Sequence, residues 1–135
     1  MKGILADVNI QKYVHILVAI MQSEDYKLFW DHLQIQYLQF ADVGLPSNAL
    51  DTLIWQTCQQ RELILITDNR NQDDNSSLES TIRLFNTPLS LPVFTISNIG
   101  RLRNSREYLH QVVESLLDAL LRVQSLRGTG RLFLP

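Results

Sequence analysis

Leu63-Ile64-Leu65-Ile66-Thr67-Asp68-Asn69-Arg70-Asn71-Gln72-Asp73-Asp74 is the stretch whose reading decides the fold. Its first four residues are apolar and two are β-branched, the signature of a short strand buried on both faces. The run stops at Thr67, and the eight residues from there to Asp74 are all polar, three of them carboxylates. Ligands of open α/β sheets bind outside the carboxyl ends of the strands, so this acidic stretch falls where chemistry is expected. Gly3-Ile4-Leu5-Ala6-Asp7-Val8-Asn9 has the same form: a short apolar run, an Asp at its end and an Asn two residues on. Two buried strands that both end in carboxylates predict a shared acidic cluster, and such a cluster suits a divalent cation.

Working outward, the pattern predicts a strand over residues 2–6 and a helix capped by Asn9 and running to about Ser23. A second helical stretch covers 24–33, and a strand follows over 35–40. Gly44 and Pro46 mark a loop over 41–48. A helix over 49–61 leads through a very short turn into the key strand, 63–66. Ser76 or Ser77 is placed to cap a helix over 78–85, and residues 93–96 read as a fourth strand. Residues 101–105 are polar. The clearest helix spans 106–123, with Leu109, Val112, Val113, Leu116, Leu117, Leu120 and Leu121 on one stripe. Residues 127–131 read as a flexible turn before the apolar end Leu132-Phe133-Leu134. Strands alternating with helices predict an α/β fold: a mainly parallel sheet of four to five strands with helices on both faces.

At 135 residues the chain is one domain, its core over about 1–100 and its C-terminal helix and tail over 104–135. A chain of this length buries roughly 65–70% of its extended-chain surface, and with 45% apolar residues it needs no covalent staple. The single Cys58 excludes an internal disulfide and a multi-Cys zinc site, and fits a reducing compartment. No secretory signal is visible and no apolar run approaches the roughly 18 residues of a spanning helix. A cytoplasmic location without membrane association is the expectation. The net charge of −2 requires any nucleic-acid contact to use a local basic patch.

Asp7 ends the first strand, Asp68, Asp73 and Asp74 follow the key strand, and Asp51 opens the helix before it. In a parallel architecture these positions share one edge. Mg²⁺ takes oxygen ligands, usually one or two carboxylates plus waters. Simpler roles exist for each: Asp51 has capping-box spacing from Asn48 and sits well at a helix N-terminus, while Asp68 and Asn69 suit an Asx turn.

The order and spacing of these elements resemble the PIN-domain proteins, a metal-dependent nuclease-like fold. The similarity is greatest to short PIN-like proteins of uncharacterised bacterial families related to the ribonuclease toxins of toxin–antitoxin pairs. It rests on the strand-end Asp7, on Asp51 opening a helix that turns shortly into an apolar strand, and on Thr67-Asp68-Asn69 followed by Asp73; it covers about residues 1–100. The resemblance implies an endoribonuclease that uses Mg²⁺ or Mn²⁺, with Asp7, Asp51 and Asp73 holding the metal and Asp68 assisting. Asn9 and Asn69 would orient ligands or water. It also implies an RNA substrate and an antitoxin-type protein partner. The family's second acid is matched here only by Asp42, and its Asp-Phe after the strand is absent. These departures keep a second expectation in view, a PIN-like scaffold without activity that binds a partner or itself. A receiver-like phosphoryl-transfer domain is disfavoured, since such domains need a late Lys and none follows Lys27.

Arg70, Arg101 and Arg103 are placed to contact RNA phosphates. Tyr26, Phe29 and Trp30 are at helical spacing and read as core. His15, His32 and His110 have no partner at ligand spacing. The apolar tail must dock, as an edge strand on its own domain or on a second copy, because each exposed Leu or Phe forgoes roughly 1.5–3 kcal/mol of burial. A homodimer is therefore expected as one outcome.

Overall fold

A computed structural model describes residues 1–70 and 77–135. Among the described residues, five strands form one parallel sheet: β1 (Gly3–Ala6), β2 (Gln36–Leu38), β3 (Leu63–Thr67), β4 (Val93–Ile96) and β5 (Arg131–Leu134). Their order across the sheet is β2-β1-β3-β4-β5, so the winding direction reverses between β1 and β3. In open α/β sheets such a reversal marks the place, at the carboxyl ends of the two strands, where ligands bind. The key strand lies in the centre of the sheet and all five of its residues are buried, as its unbroken apolar run predicts.

Alternation sorts the strand side chains onto two faces. Ile4, Ala6, Ile64, Ile66, Phe94, Ile96 and Leu134 join one core cluster with Val14, Leu17, Val18 and Met21 of α1 (Gln11–Met21) and the stripe of α6 (Arg106–Leu121). Val112, Val113 and Leu116 of that stripe are fully buried, each stabilising by up to about 1.5–3 kcal/mol. Ser105 starts α6 by accepting the Tyr108 N–H at 3.1 Å, the usual N-cap bond. Leu5, Leu63, Leu65 and Val93 point the other way, onto Ile54, Trp55 and Cys58 of α3 (Asp51–Arg61) and onto Leu78 and Ile82 of α4 (Leu78–Phe85). Helices thus cover both faces.

Several local expectations change. The first helix does not start at Asn9. Asp7 caps a 3₁₀ turn, Val8–Ile10, and α1 begins after it. The second helical stretch is shorter, α2 (Lys27–Leu33), and the second strand keeps only three residues. The polar stretch after β4 is itself helical, α5 (Ile99–Asn104), because Asn98 caps it through the Arg101 N–H and Leu102 is buried against α6. A short helix, α7 (Val123–Leu126), follows α6.

Of the two dockings expected for the tail, the intramolecular one is realised. It pairs with β4 from Val93↔Arg131 to Ile96↔Leu134. The preceding turn is held closely. Gly128 and Gly130 have φ of 87° and 84°, where a side chain is strained, and a Cβ on Gly128 would lie 3.1 Å from Pro88 backbone. The Gly128 N–H bonds Ser90 O at 2.9 Å and its carbonyl accepts from Asn86 at 2.8 Å. No helix among the described residues is long and apolar enough to cross a membrane.

Candidate functional site

The register brings the strand ends into one row. Ala6 is level with Ile66, so Asp7 and Thr67 follow side by side, and Thr67 is level with Thr95. By alternation all three belong to the face that α3 and α4 cover. They are buried: Asp7 is 8% exposed and the two threonines 0%. A polar atom in such a place must be hydrogen-bonded or it costs stability. The Thr67 hydroxyl donates to Asp7 Oδ2 at 2.5 Å and accepts the Asn69 N–H at 3.0 Å. Asp7 Oδ1 accepts the Asn9 N–H at 3.1 Å. Thr67 thus holds the first residues of the turn after β3 through its own hydroxyl.

Asn69 carries the network across to Asp51. Its Nδ2 donates to Asp51 Oδ2 at 3.1 Å, and the same oxygen accepts the Leu78 N–H at 3.0 Å. Two helix N-termini meet here for a simple reason. α3 runs back along β3, so its first residue lies at the carboxyl edge, and α4 starts from that edge after β3. The Leu78 N–H is one of the orphan donors at the start of α4, and Asp51 satisfies it. Ser77 caps the same helix by accepting the Ser80 N–H at 3.1 Å. The Asn48–Asp51 capping box does not form; Leu50 is the N-cap of α3 and makes no side-chain bond there. Asp7 and Asp51 are thus tied into one chain through Thr67 and Asn69.

Arg131 closes the row from β5. Its Nη1 donates to Thr95 Oγ1 at 2.6 Å and to the Asn69 carbonyl at 2.8 Å, and its Nε donates to Glu79 Oε2 at 3.0 Å. The sequence pattern placed Arg131 in a flexible turn, named Thr67 only as part of the loop motif after the key strand, and passed over Glu79 and Thr95. A signal was present: Thr67 and Thr95 each end or nearly end an apolar strand at the parity of its buried face.

Asp73 and Asp74 lie outside the described residues. Asp68 is half-buried directly after β3, and Arg70 is exposed. Asn9 meets Asp7 through its backbone N–H. Asp42, the weak match to a second acid, is engaged in capping a 3₁₀ turn, accepting the Gln39 N–H at 2.8 Å. Arg101 lies over the Tyr108 ring at 4.8 Å and Arg103 borders a hollow with Tyr13, Ile16 and Leu109. Both arginines sit on α5, in the layer over the opposite face.

The donor set at the edge is hard oxygen. Asp51 Oδ2 accepts two bonds, each Asp7 oxygen accepts one, and a carboxylate has about four lone-pair sites, so both acids retain acceptor capacity. Two carboxylates completed by waters fit Mg²⁺ or Mn²⁺. A group of three His, Cys, Asp or Glu side chains suited to a metal is not formed among the described residues. Away from the site, burial pushes the Cys58 thiol up to about 12. Burial, and then the neighbouring Glu114 carboxylate, raises the Tyr26 phenol.

No protein-family model, curated protein or solved structure matches this chain. The functional reading therefore rests on the geometry of the edge.

Proposed function

We propose that this chain is a PIN-like, metal-dependent endoribonuclease acting at the carboxyl edge of its sheet. The observation that carries this reading is the hydrogen-bonded chain Asp7–Thr67–Asn69–Asp51, which ties a strand-end acid to a helix-start acid at the carboxyl ends of β1 and β3. Asp7 and Asp51 would hold Mg²⁺ or Mn²⁺, which when bound supplies positive charge to a phosphoryl oxygen and lowers the pKa of a water. Thr67 and the Asn9 N–H fix the Asp7 carboxylate, and Asn69 and the start of α4 fix that of Asp51. Asp68 assists from the turn. Exposed Arg70 and, beyond β4, Arg101 and Arg103 meet RNA phosphates. A cytoplasmic location and an antitoxin-type partner belong to the same proposal.

A second reading, a PIN-like scaffold without activity, is supported by the structural bonds that Asp7 and Asp51 already make. Asp7→Asn separates the two, because it removes charge with little change of shape. The expected result is Mn²⁺-dependent cleavage of single-stranded or structured RNA by the full chain, abolished by EDTA and reduced about 100-fold by Asp7→Asn. Loss of even a partner of a metal ligand costs 10–100-fold. Cleavage that survives both treatments rejects the metal mechanism. No cleavage and no Mn²⁺ binding by the unsubstituted chain selects the scaffold.

A further inference from the structure

The guanidinium of Arg131 is held unlike that of a surface arginine. Its side chain is 6% exposed, although it lies on an edge strand. The Cα is level with Val93, below the polar row, and the side chain extends along the sheet to reach Thr95 and the Asn69 carbonyl. Glu79 of α4 closes the third side, 3.0 Å from both Nε and Nη2. Phe133 lies beside the group, its ring centre 5.9 Å from the guanidinium carbon. One planar group thereby joins β4, α4 and the backbone that leaves β3.

Asn69 is the residue so anchored. It lies beyond Thr67, the last β3 residue paired in the ladder. Its N–H is held by Thr67 and its carbonyl by Arg131. With both ends of that backbone unit fixed, its carboxamide is directed at Asp51. A charge-assisted bond to the carbonyl is the stronger kind, and the fork of an arginine serves several acceptors in one plane, which an ammonium does not. Glu79 balances the positive charge, so the guanidinium need not draw on the carboxylates of Asp7 and Asp51.

We infer that Arg131 is the positioning residue of the acidic edge, setting Asn69 so that it bridges Thr67 and Asp51, and that the C-terminal strand is thereby part of the site. The functional consequence rests on reading Asp7 and Asp51 as one metal-binding site, whereas the positioning itself is tested without that assumption.

The experiment follows the Asn69 side-chain NH₂ signals by ¹⁵N NMR in the full chain, unsubstituted and as Arg131→Lys, Glu79→Gln and Arg127→Lys. In Arg131→Lys the Asn69 carboxamide protons are expected to exchange with solvent about tenfold faster and to move toward free-amide shifts, with the Ile64 and Ile66 amides unchanged. Arg127→Lys, at the opposite edge of the sheet, is expected to leave them in place. Unmoved Asn69 signals in a folded Arg131→Lys overturn the inference. If that variant does not fold, Arg131→Met decides on the same signals, with Glu79→Gln as a control that leaves both Nη1 bonds in place: faster Asn69 exchange in Arg131→Met supports the inference and unchanged exchange overturns it. Mn²⁺ affinity, read by electron paramagnetic resonance, is expected to weaken by up to about tenfold in Arg131→Lys, the low end of the loss that follows removal of a metal ligand's direct partner. If the unsubstituted chain binds no Mn²⁺, the nuclease reading fails, and the Asn69 signals still decide the role of Arg131.

Discussion

The two faces of the sheet are made by the same short strands and differ at one end. On the α1–α6 face, Ile4, Ala6, Ile64, Ile66, Phe94, Ile96 and Leu134 are apolar from the amino to the carboxyl edge. On the α3–α4 face the amino half is equally apolar, with Leu5, Leu63, Leu65 and Val93. Its carboxyl half turns to Asp7 and Thr67, bonded to each other, and to Thr95, which accepts from Arg131. Packing alone gives no reason to bury an aspartate and an arginine there, since apolar groups of similar volume are often as stable or more so. These side chains instead have hydrogen-bond partners in fixed directions, while Arg131 Nη2 meets Glu79 at 3.0 Å as an ion pair without a hydrogen bond. The first face holds the domain together, and the second gives up some packing to hold oxygen atoms at defined places.

The largest effect belongs to the apolar face. Phe94 is fully buried, and Phe94→Ala is expected to destabilise by about 4 kcal/mol, from lost transfer energy and the cavity left behind. Urea unfolding measures it. A loss below about 2 kcal/mol would mean that this face is not the main source of stability.

Next come the two Arg–Glu pairs of the C-terminal segment. Arg131–Glu79 lies under the polar row, with side chains 6% and 28% exposed, and Arg127–Glu62 lies at the opposite edge, at 19% and 39%. Arg131→Met is expected to cost about 3 kcal/mol by leaving a largely buried carboxylate uncompensated, and Arg127→Met less than about 1 kcal/mol after solvent screening. A double-mutant cycle with Glu79→Gln should return a coupling of about 2 kcal/mol. Equal costs for the two arginines would erase the distinction drawn between these places.

A smaller effect, about 2 kcal/mol between pH 8 and 10, concerns Cys58, which packs under the α3–α4 face. Its thiol is raised to about 12 in the folded chain, against about 8.5 unfolded. The folded state favours the neutral thiol, so this contribution is complete below about pH 8.5 and is lost as pH rises toward 12. Between those limits stability should fall by about 1.4 kcal/mol per pH unit from this group. Denaturation curves for the unsubstituted chain and Cys58→Ala, compared between pH 8 and 10, isolate it. Identical slopes would show that Cys58 is not held in a dry environment.

Local periodicity carried the fold class a long way. The run Leu63–Ile66 can be read as a buried central strand because four consecutive apolar residues fit little else of that length. Asp7 and Asp51 were legible as edge residues because chain direction alone sends a strand end and the start of the preceding helix to one side. The errors lie where local signals compete. Asn9 has the chemistry of a helix cap, but Asp7 takes the capping position two residues earlier. Residues 101–105 looked like a polar connector, but a capped start and the burial of Leu102 draw most of them into α5.

By itself, then, the sequence determined a parallel α/β domain, its central strand and the edge at which two of its acids stand, because these follow from apolar spacing and chain direction. Only the tertiary structure decided which polar groups meet. That Thr67 lies beside Asp7 and Thr95 follows from strand order and register. That Arg131 reaches Asn69 follows from the tail docking on its own sheet. A hydrogen bond depends on atoms within about 3 Å in the right direction, and no periodicity along the chain records a meeting of residues so far apart in it.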